Sequence, residues 1–219
     1  METDRRGRPR LVESRRPGRS ARDEILDAAA ELFTTVGYAA TSTRRIAESV
    51  GIRQASLYHH FAAKDDILDA LLAGTVDASV ELAAELLAEG GPAAPRLHTL
   101  VVADATQLCG GTWNLGTLYL LPDLRVERFA VFHRCREELR SHYRTLASAV
   151  IAEHDGAAGA DDLPFRLTEA VINRRADDGD CPPDYPWTTA EAALRVLGCA
   201  KGFAGLRATT AERLELPPG

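Results

Sequence analysis

The sequence predicts an all-α protein, with a short three-helix unit near the N-terminus followed by a larger helical body. Three observations predict it. Apolar residues recur at helical spacing in segment after segment, from Ile25 to about Leu206. The segments are parted by glycine and proline, at Gly37, at Gly51 and at Gly90-Gly91-Pro92. No segment shows convincing strand alternation, and no internal repeat is visible.

Residues 1–19 lack apolar periodicity and hold two prolines and two glycines, so they read as a disordered basic arm. Helix one starts near Ser20, where Ser20-x-x-Asp23 resembles a capping box with Asp in place of Glu. Ile25, Ala29, Leu32, Phe33 and Val36 form its buried stripe, and Gly37 ends it. Thr41 or Ser42 can cap helix two, which buries Ile46, Ala47 and Val50 and stops at Gly51. A turn through Ile52 and Arg53 leads to helix three, with Leu57 and Phe61 four apart on one face.

Helix four runs from about Lys64 to about Ala88 on a stripe of Ile67, Leu68, Leu71, Leu72, Val76, Val80, Ala83 and Leu87. Further helices are expected at about 96–109, 113–121, 123–154 and 165–177, with a loop over 155–164. Three prolines between Cys181 and Trp187 keep that stretch from being helical throughout. Thr188-x-x-Glu191 reads as a capping box opening a final long helix to about Leu206. The expected domains are 1–19 (arm), 20–66 (three-helix unit) and 67–219 (body).

The 219 residues suffice for a sizeable core in one or two domains, and 45% hydrophobic with 26% charged residues is ordinary for a soluble chain. No apolar run reaches the length of a membrane span, and the arginine-rich start has no apolar segment behind it, so no membrane partner or secretory signal is expected. Cys109, Cys135, Cys181 and Cys199 are scattered without a C-x-x-C pair and read as reduced cytoplasmic thiols. The net charge of -6 is unevenly spread. The first 20 residues carry seven arginines against three acids, whereas residues 67–219 carry 14 basic against 22 acidic side chains. Such a chain suits a protein that puts only its front end on nucleic acid.

Three helices with a glycine turn between the second and third fit a helix-turn-helix unit. Its third helix enters the major groove of double-stranded DNA with its N-terminal residues at the base edges. Those are Gln54, Ala55 and Ser56; Gln can bond adenine, Ser several base edges, and Ala a thymine methyl. Tyr58 and His59 one turn on, Thr43 and Arg44 at the start of helix two, Arg53 in the turn and Lys64 would flank the groove and fix register. His59-His60 and Asp65-Asp66 are not read as a metal site, because adjacent helical positions point about 100° apart. In the arm, Arg6-Gly7-Arg8-Pro9-Arg10 resembles an AT-hook core for the minor groove. Arg6, Arg8 and Arg10 would be drawn to the strong negative potential of A·T tracts. A merely solvated basic tail is the other open reading.

These residues together resemble the tetracycline-repressor (TetR) family of transcriptional regulators. The family pattern is met by Phe33 to Gly37-Tyr38, Thr41 to Thr43, Ile46-Ala47, Gly51-Ile52, Leu57-Tyr58-His59-His60-Phe61 and Lys64, over about 50 residues. Three positions depart from it. Arg53 stands where a capping Ser is usual, Ala55 replaces a common Gly, and Ala63 replaces a polar cap before Lys64. The resemblance implies a homodimer whose C-terminal domain holds a small-molecule effector pocket between its central helices, and most commonly a repressor released by that effector. The candidate pocket lining is Gln107, Cys109, Trp113, Asn114, Tyr119, Phe129, Phe132, His133, Arg136 and Tyr143; ordinary core is the competing reading for each. Ala193, Leu197, Ala200 and Ala204, with Gly198, Gly202 and Gly205, are the candidate dimer face, since small residues let helices approach closely. No G-x-S-x-G, P-loop or H-E-x-x-H motif is present, so neither an enzyme nor a cofactor is expected.

Overall fold

The computed structural model describes residues 20–125 and 127–217, and among these no strand occurs. Nine α-helices are described, α1 (Ala21–Thr35), α2 (Thr43–Val50), α3 (Gln54–Tyr58), α4 (Lys64–Ala88), α5 (Ala93–Cys109), α6 (Ala130–His154), α7 (Leu163–Asp178), α8 (Tyr185–Val196) and α9 (Phe203–Leu214). Two compact units part between Leu68 and Asp69, inside α4; the sequence had suggested a boundary after residue 66.

In the first unit, Ser20 caps α1 by accepting from the Asp23 amide at 3.2 Å. Ile25, Ala28, Ala29 and Phe33 face the core. Gly37 takes a φ of 96°, which lets its amide close back on the Leu32 carbonyl at 3.1 Å. Of the two candidate caps for α2, Ser42 serves, through the Arg45 amide; Thr41 is buried and donates to the Gly37 carbonyl at 2.9 Å. Gly51, with φ 77°, ends α2, and the Ile52 amide turns back to Ala47. Ile46 and Leu57 are wholly buried and pin α2 and α3 to the core, each contributing about 1.5–3 kcal/mol. Arg53 gives α3 no side-chain cap. The missing polar cap at Ala63 is offset from inside α4, where Asp66 Oδ2 accepts from the Ala63 amide at 2.8 Å.

In the second unit α5 is the central helix, packed against α6, α7, α8 and α9. It is apolar nearly all round because it is enclosed, burying Leu97, Leu100, Val101 and Val102. Tyr143, Leu146 and Val150 of α6, Phe165 of α7 and Trp187 and Leu194 of α8 complete the core. Helix α5 begins three residues earlier than expected, because the Glu153 carboxylate caps the Ala93 amide at 2.9 and 3.0 Å. Arg96 donates to the carbonyls of Leu86, Glu89 and Gly91, satisfying the end of α4.

Three sequence expectations are corrected. Among the described residues, the segment 113–129 is not α-helical but holds three 3₁₀ turns at Leu115–Leu120, Pro122–Arg125 and Glu127–Phe129, since Pro122 lacks the amide a continuous helix needs. Thr188 does not open a helix: α8 starts at Tyr185 with Pro186 in its first turn, and Thr188 donates to Asp184 from within. The final long helix is two helices, broken at Gly198 and Gly202 with φ of 97° and 88°. There the chain after α6 crosses the end of α8 so closely that a Cβ on Gly156 would lie 2.1 Å from the Leu197 carbonyl oxygen. The candidate dimer stripe therefore does not exist as drawn. Ala193 and Leu197 are wholly buried in their own chain, while Ala200 and Ala204 are exposed beyond the break.

Candidate nucleic-acid interface and effector cavity

Helices α2 and α3 meet through their polar side chains. Gln54 Nε2 donates to Thr43 Oγ1 at 3.0 Å and to the Tyr58 hydroxyl at 3.2 Å, and the two oxygens are themselves 3.2 Å apart. Three of the side chains expected at DNA thus form one preorganised surface cluster. A two-pronged bond from Gln54 to adenine needs both amide atoms, so Gln54 would exchange these hydroxyls for the base. Ala55 and His59 are exposed beside it and Ser56 is half-buried. Arg53 is exposed, and Arg44 is exposed with its guanidinium 2.9 Å from Glu48.

Lys64 is placed differently from the sequence reading. Its ammonium donates to the carbonyls of Tyr38 (2.8 Å) and Thr41 (3.0 Å) and lies 4.0 Å from the centroid of the Tyr38 ring. The Tyr38 hydroxyl in turn donates to the Asp65 carboxylate. Lys64 thus ties the α1–α2 turn to the first turn of α4, a structural duty that sequence spacing did not reveal. Arg6, Arg8 and Arg10 lie outside the described residues.

The body holds a buried polar cluster where α4, α5 and α6 meet. Ser79 donates to Asp104 Oδ1 at 3.0 Å and Tyr143 to Asp104 Oδ2 at 2.9 Å. Burial pushes the Asp104 carboxyl up to about 6, although both donors pull it down. Gln107 donates to the Gly74 and Thr75 carbonyls, and Tyr119 to Thr75 Oγ1 at 2.8 Å. Burial raises both the Tyr119 and Tyr143 hydroxyls, which therefore stay protonated donors.

Beside this cluster a cavity of about 240 Å³ is lined by Gly116, Tyr119, Arg136, Arg166, Glu169 and Asn173, among others. Tyr119, Arg136 and Glu169 also line a pocket of about 10 Å³ that reaches Asp104. Arg136 pairs with Glu169 through Nε at 2.8 Å and through its second amine. Arg166 reaches the other Glu169 oxygen at 3.4 Å.

Of the candidate pocket residues, then, Tyr119 and Arg136 line this cavity. Gln107 and Trp113 line a separate one of about 130 Å³, and Cys109 a third of about 270 Å³. Asn114 donates to the Ile172 carbonyl and His133 bonds the Leu124 carbonyl; neither faces these cavities. Phe129, Phe132 and Tyr143 are buried and line none of these cavities, which favours the competing reading of ordinary core. Glu169, Arg166, Asp104 and Ser79 were missed. Asp104 was findable: it stands seven residues after Leu97, on the same face of an otherwise apolar helix.

An N-terminal helix-turn-helix joined by a long helix to an all-helical, cavity-bearing body defines a class of DNA-binding regulator. The family described as bacterial regulatory proteins, tetR family, matches residues 25–71. The KstR2 transcriptional repressor of Rhodococcus jostii is 33% identical over 150 residues, covering 66% of this chain and 68% of that repressor. The crystal structure of Mycobacterium smegmatis AmtR is 68% identical, covers 94% of this chain and 100% of its own, and superposes with a TM-score of 0.93. The chain belongs to the TetR family and is a DNA-binding transcriptional regulator. At 21% identity, with a TM-score of 0.62 over 82% of this chain and 99% of its own, FadR of Bacillus subtilis in complex with stearoyl-CoA shares the fold.

Proposed function

We propose that this protein is a homodimeric cytoplasmic repressor, without catalytic activity, that leaves its operator when a small molecule enters the cavity between Tyr119, Arg136 and Glu169. The Thr43–Gln54–Tyr58 cluster carries the DNA half of the reading, because it aims a recognition surface built from two helices. Two copies would set their recognition helices roughly 34–36 Å apart on a pseudo-palindrome. Selection of bound duplexes from a random pool tests this directly. Gln54→Ala or Ser56→Ala should change the preferred bases, at about 1–3 kcal/mol for each lost base contact. If both variants select the wild-type site, or light scattering at micromolar concentration finds a monomer, the reading fails.

The cavity supports a small effector with an apolar body and a few polar groups. Its 240 Å³ lies below the roughly 300–1,000 Å³ of drug-sized sites, and its walls carry two arginines, a glutamate and an asparagine. A long acyl chain with a nucleotide, such as the stearoyl-CoA bound by FadR, is too large for it. Ala170, on the cavity wall and exposed, offers a clean obstruction. Ala170→Trp should leave operator binding unchanged and abolish release by the effector found in a metabolite screen. Normal release from the filled cavity would place the effector elsewhere.

A further inference from the structure

Two of the four cysteines come together in the fold although 72 positions separate them in the chain. Cys109 is the last residue of α5, and Cys181 lies between α7 and α8, three residues past Asp178. Both are half-buried free thiols on the wall of the 270 Å³ cavity, with Thr106, Pro182, Pro186 and Trp187 around them. They share that wall. Burial and a hydrogen bond with Cys181 push the Cys109 thiol up to about 12, against the pull of Arg175 and Arg174.

The surroundings favour closure. Arg175 donates to the carbonyls of Leu108 (2.8 Å), Gly110 (2.9 Å) and Gly111 (2.9 Å), fastening the end of α5 to α7. Cys181 sits in a segment freed from α7 by Gly179, whose φ is 88°. One thiol is thus on a fastened helix end and the other on a connection outside the helices, which must bring the two sulfurs to about 2.05 Å for a bond to form. Cys135 and Cys199 do not line this cavity.

We propose that Cys109 and Cys181 form a reversible intramolecular disulfide, a redox modification site in the body of this regulator. With a low-molecular-weight disulfide as oxidant, the Cys181 thiolate attacks one of its sulfurs, breaking that bond and releasing one small thiol. Cys109 is held protonated by burial; it gives its proton to solvent and attacks the mixed disulfide at the Cys181 sulfur. The second small thiol leaves. Two protein thiols are oxidised and one oxidant disulfide is reduced to two thiols. The bridge fastens the α7–α8 connection to α5 beside Gly110 and Gly111, which line the neighbouring 130 Å³ cavity with Trp113.

The full-length protein is equilibrated with oxidised and reduced glutathione at increasing ratio. Remaining thiols are then blocked, and the chain is digested for peptide mass mapping. The expected result is loss of two thiols per chain, a linked Cys109–Cys181 peptide, and a change in Trp187 fluorescence that dithiothreitol reverses. Oxidised protein should unfold at higher denaturant than reduced protein. Cys181→Ser and Cys109→Ser should each abolish both the linked peptide and the denaturant shift, while their helical circular dichroism and operator binding show that they fold. Four thiols retained at every ratio, only glutathione adducts, or a link to Cys135, Cys199 or a second chain would each overturn the proposal.

Discussion

Deletion of residues 1–19 should weaken operator binding and flatten its dependence on salt. The helical unit alone carries more acidic than basic side chains. Residues 20–68 carry Arg22, Arg44, Arg45, Arg53 and Lys64 against seven acids, namely Asp23, Glu24, Asp27, Glu31, Glu48, Asp65 and Asp66. Of these cations Lys64 is turned onto backbone carbonyls and Arg44 is paired with Glu48. The seven arginines of residues 1–19 are therefore the largest reserve of positive charge in the N-terminal part of the sequence. Each phosphate neutralised contributes a slope of about 0.9 in the plot of log affinity against log salt, so four arginines at phosphates account for about 3.6. Over a tenfold rise in salt, the full-length protein should then lose about 10³–10⁴-fold more affinity than the truncated one. Fluorescence anisotropy with the selected duplex measures both slopes; equal slopes would remove the arm from the interface.

The second large effect concerns Asp104. Its carboxyl is pushed up from 3.8 to about 6 by burial. The fold thus favours the protonated acid. That contribution is fully present below pH 3.8 and is lost as pH rises through about 6. A shift of this size corresponds to something on the order of 3 kcal/mol. Asp184 and Asp162 act in the opposite sense: their arginine partners lower them, so their contributions are lost as pH falls. Those pairs are common to wild type and Asp104→Asn and cancel in the comparison. The variant, which keeps an acceptor for Ser79, should match wild type below about pH 4. It should exceed wild type in urea-unfolding stability by on the order of 3 kcal/mol above pH 7. A difference that does not change with pH would mean that Asp104 ionises in the fold as it does in the unfolded chain.

The N-terminal unit was legible because its signals are local. Ser20 and Ser42 cap within three residues, Gly37 and Gly51 take the left-handed conformation at helix ends, and Ile46 and Leu57 repeat at helical spacing. Each depends on neighbours in the chain. The body yielded its helix count less well. A Gly/Ala-rich run after Thr188 carries helical periodicity straight through Gly198, and only the crossing of Gly156 over Leu197 explains the break. The aromatic residues of the body could not be sorted into core and cavity by type. Phe132 and Tyr119 pack ring to ring at 5.2 Å, yet one is core and the other lines the cavity.

The sequence alone determined that this chain is a helical regulator with an N-terminal helix-turn-helix, because caps, glycine turns and 3.6-residue periodicity act over a few positions. Tertiary structure alone decided that Lys64 serves the fold, that Asp104 is enclosed by Ser79 and Tyr143, that Arg136 meets Glu169, and that Cys109 and Cys181 line one cavity. These partners stand between 23 and 72 positions apart, where spacing along a helix has no bearing and only the packing of separate helices sets which side chains touch.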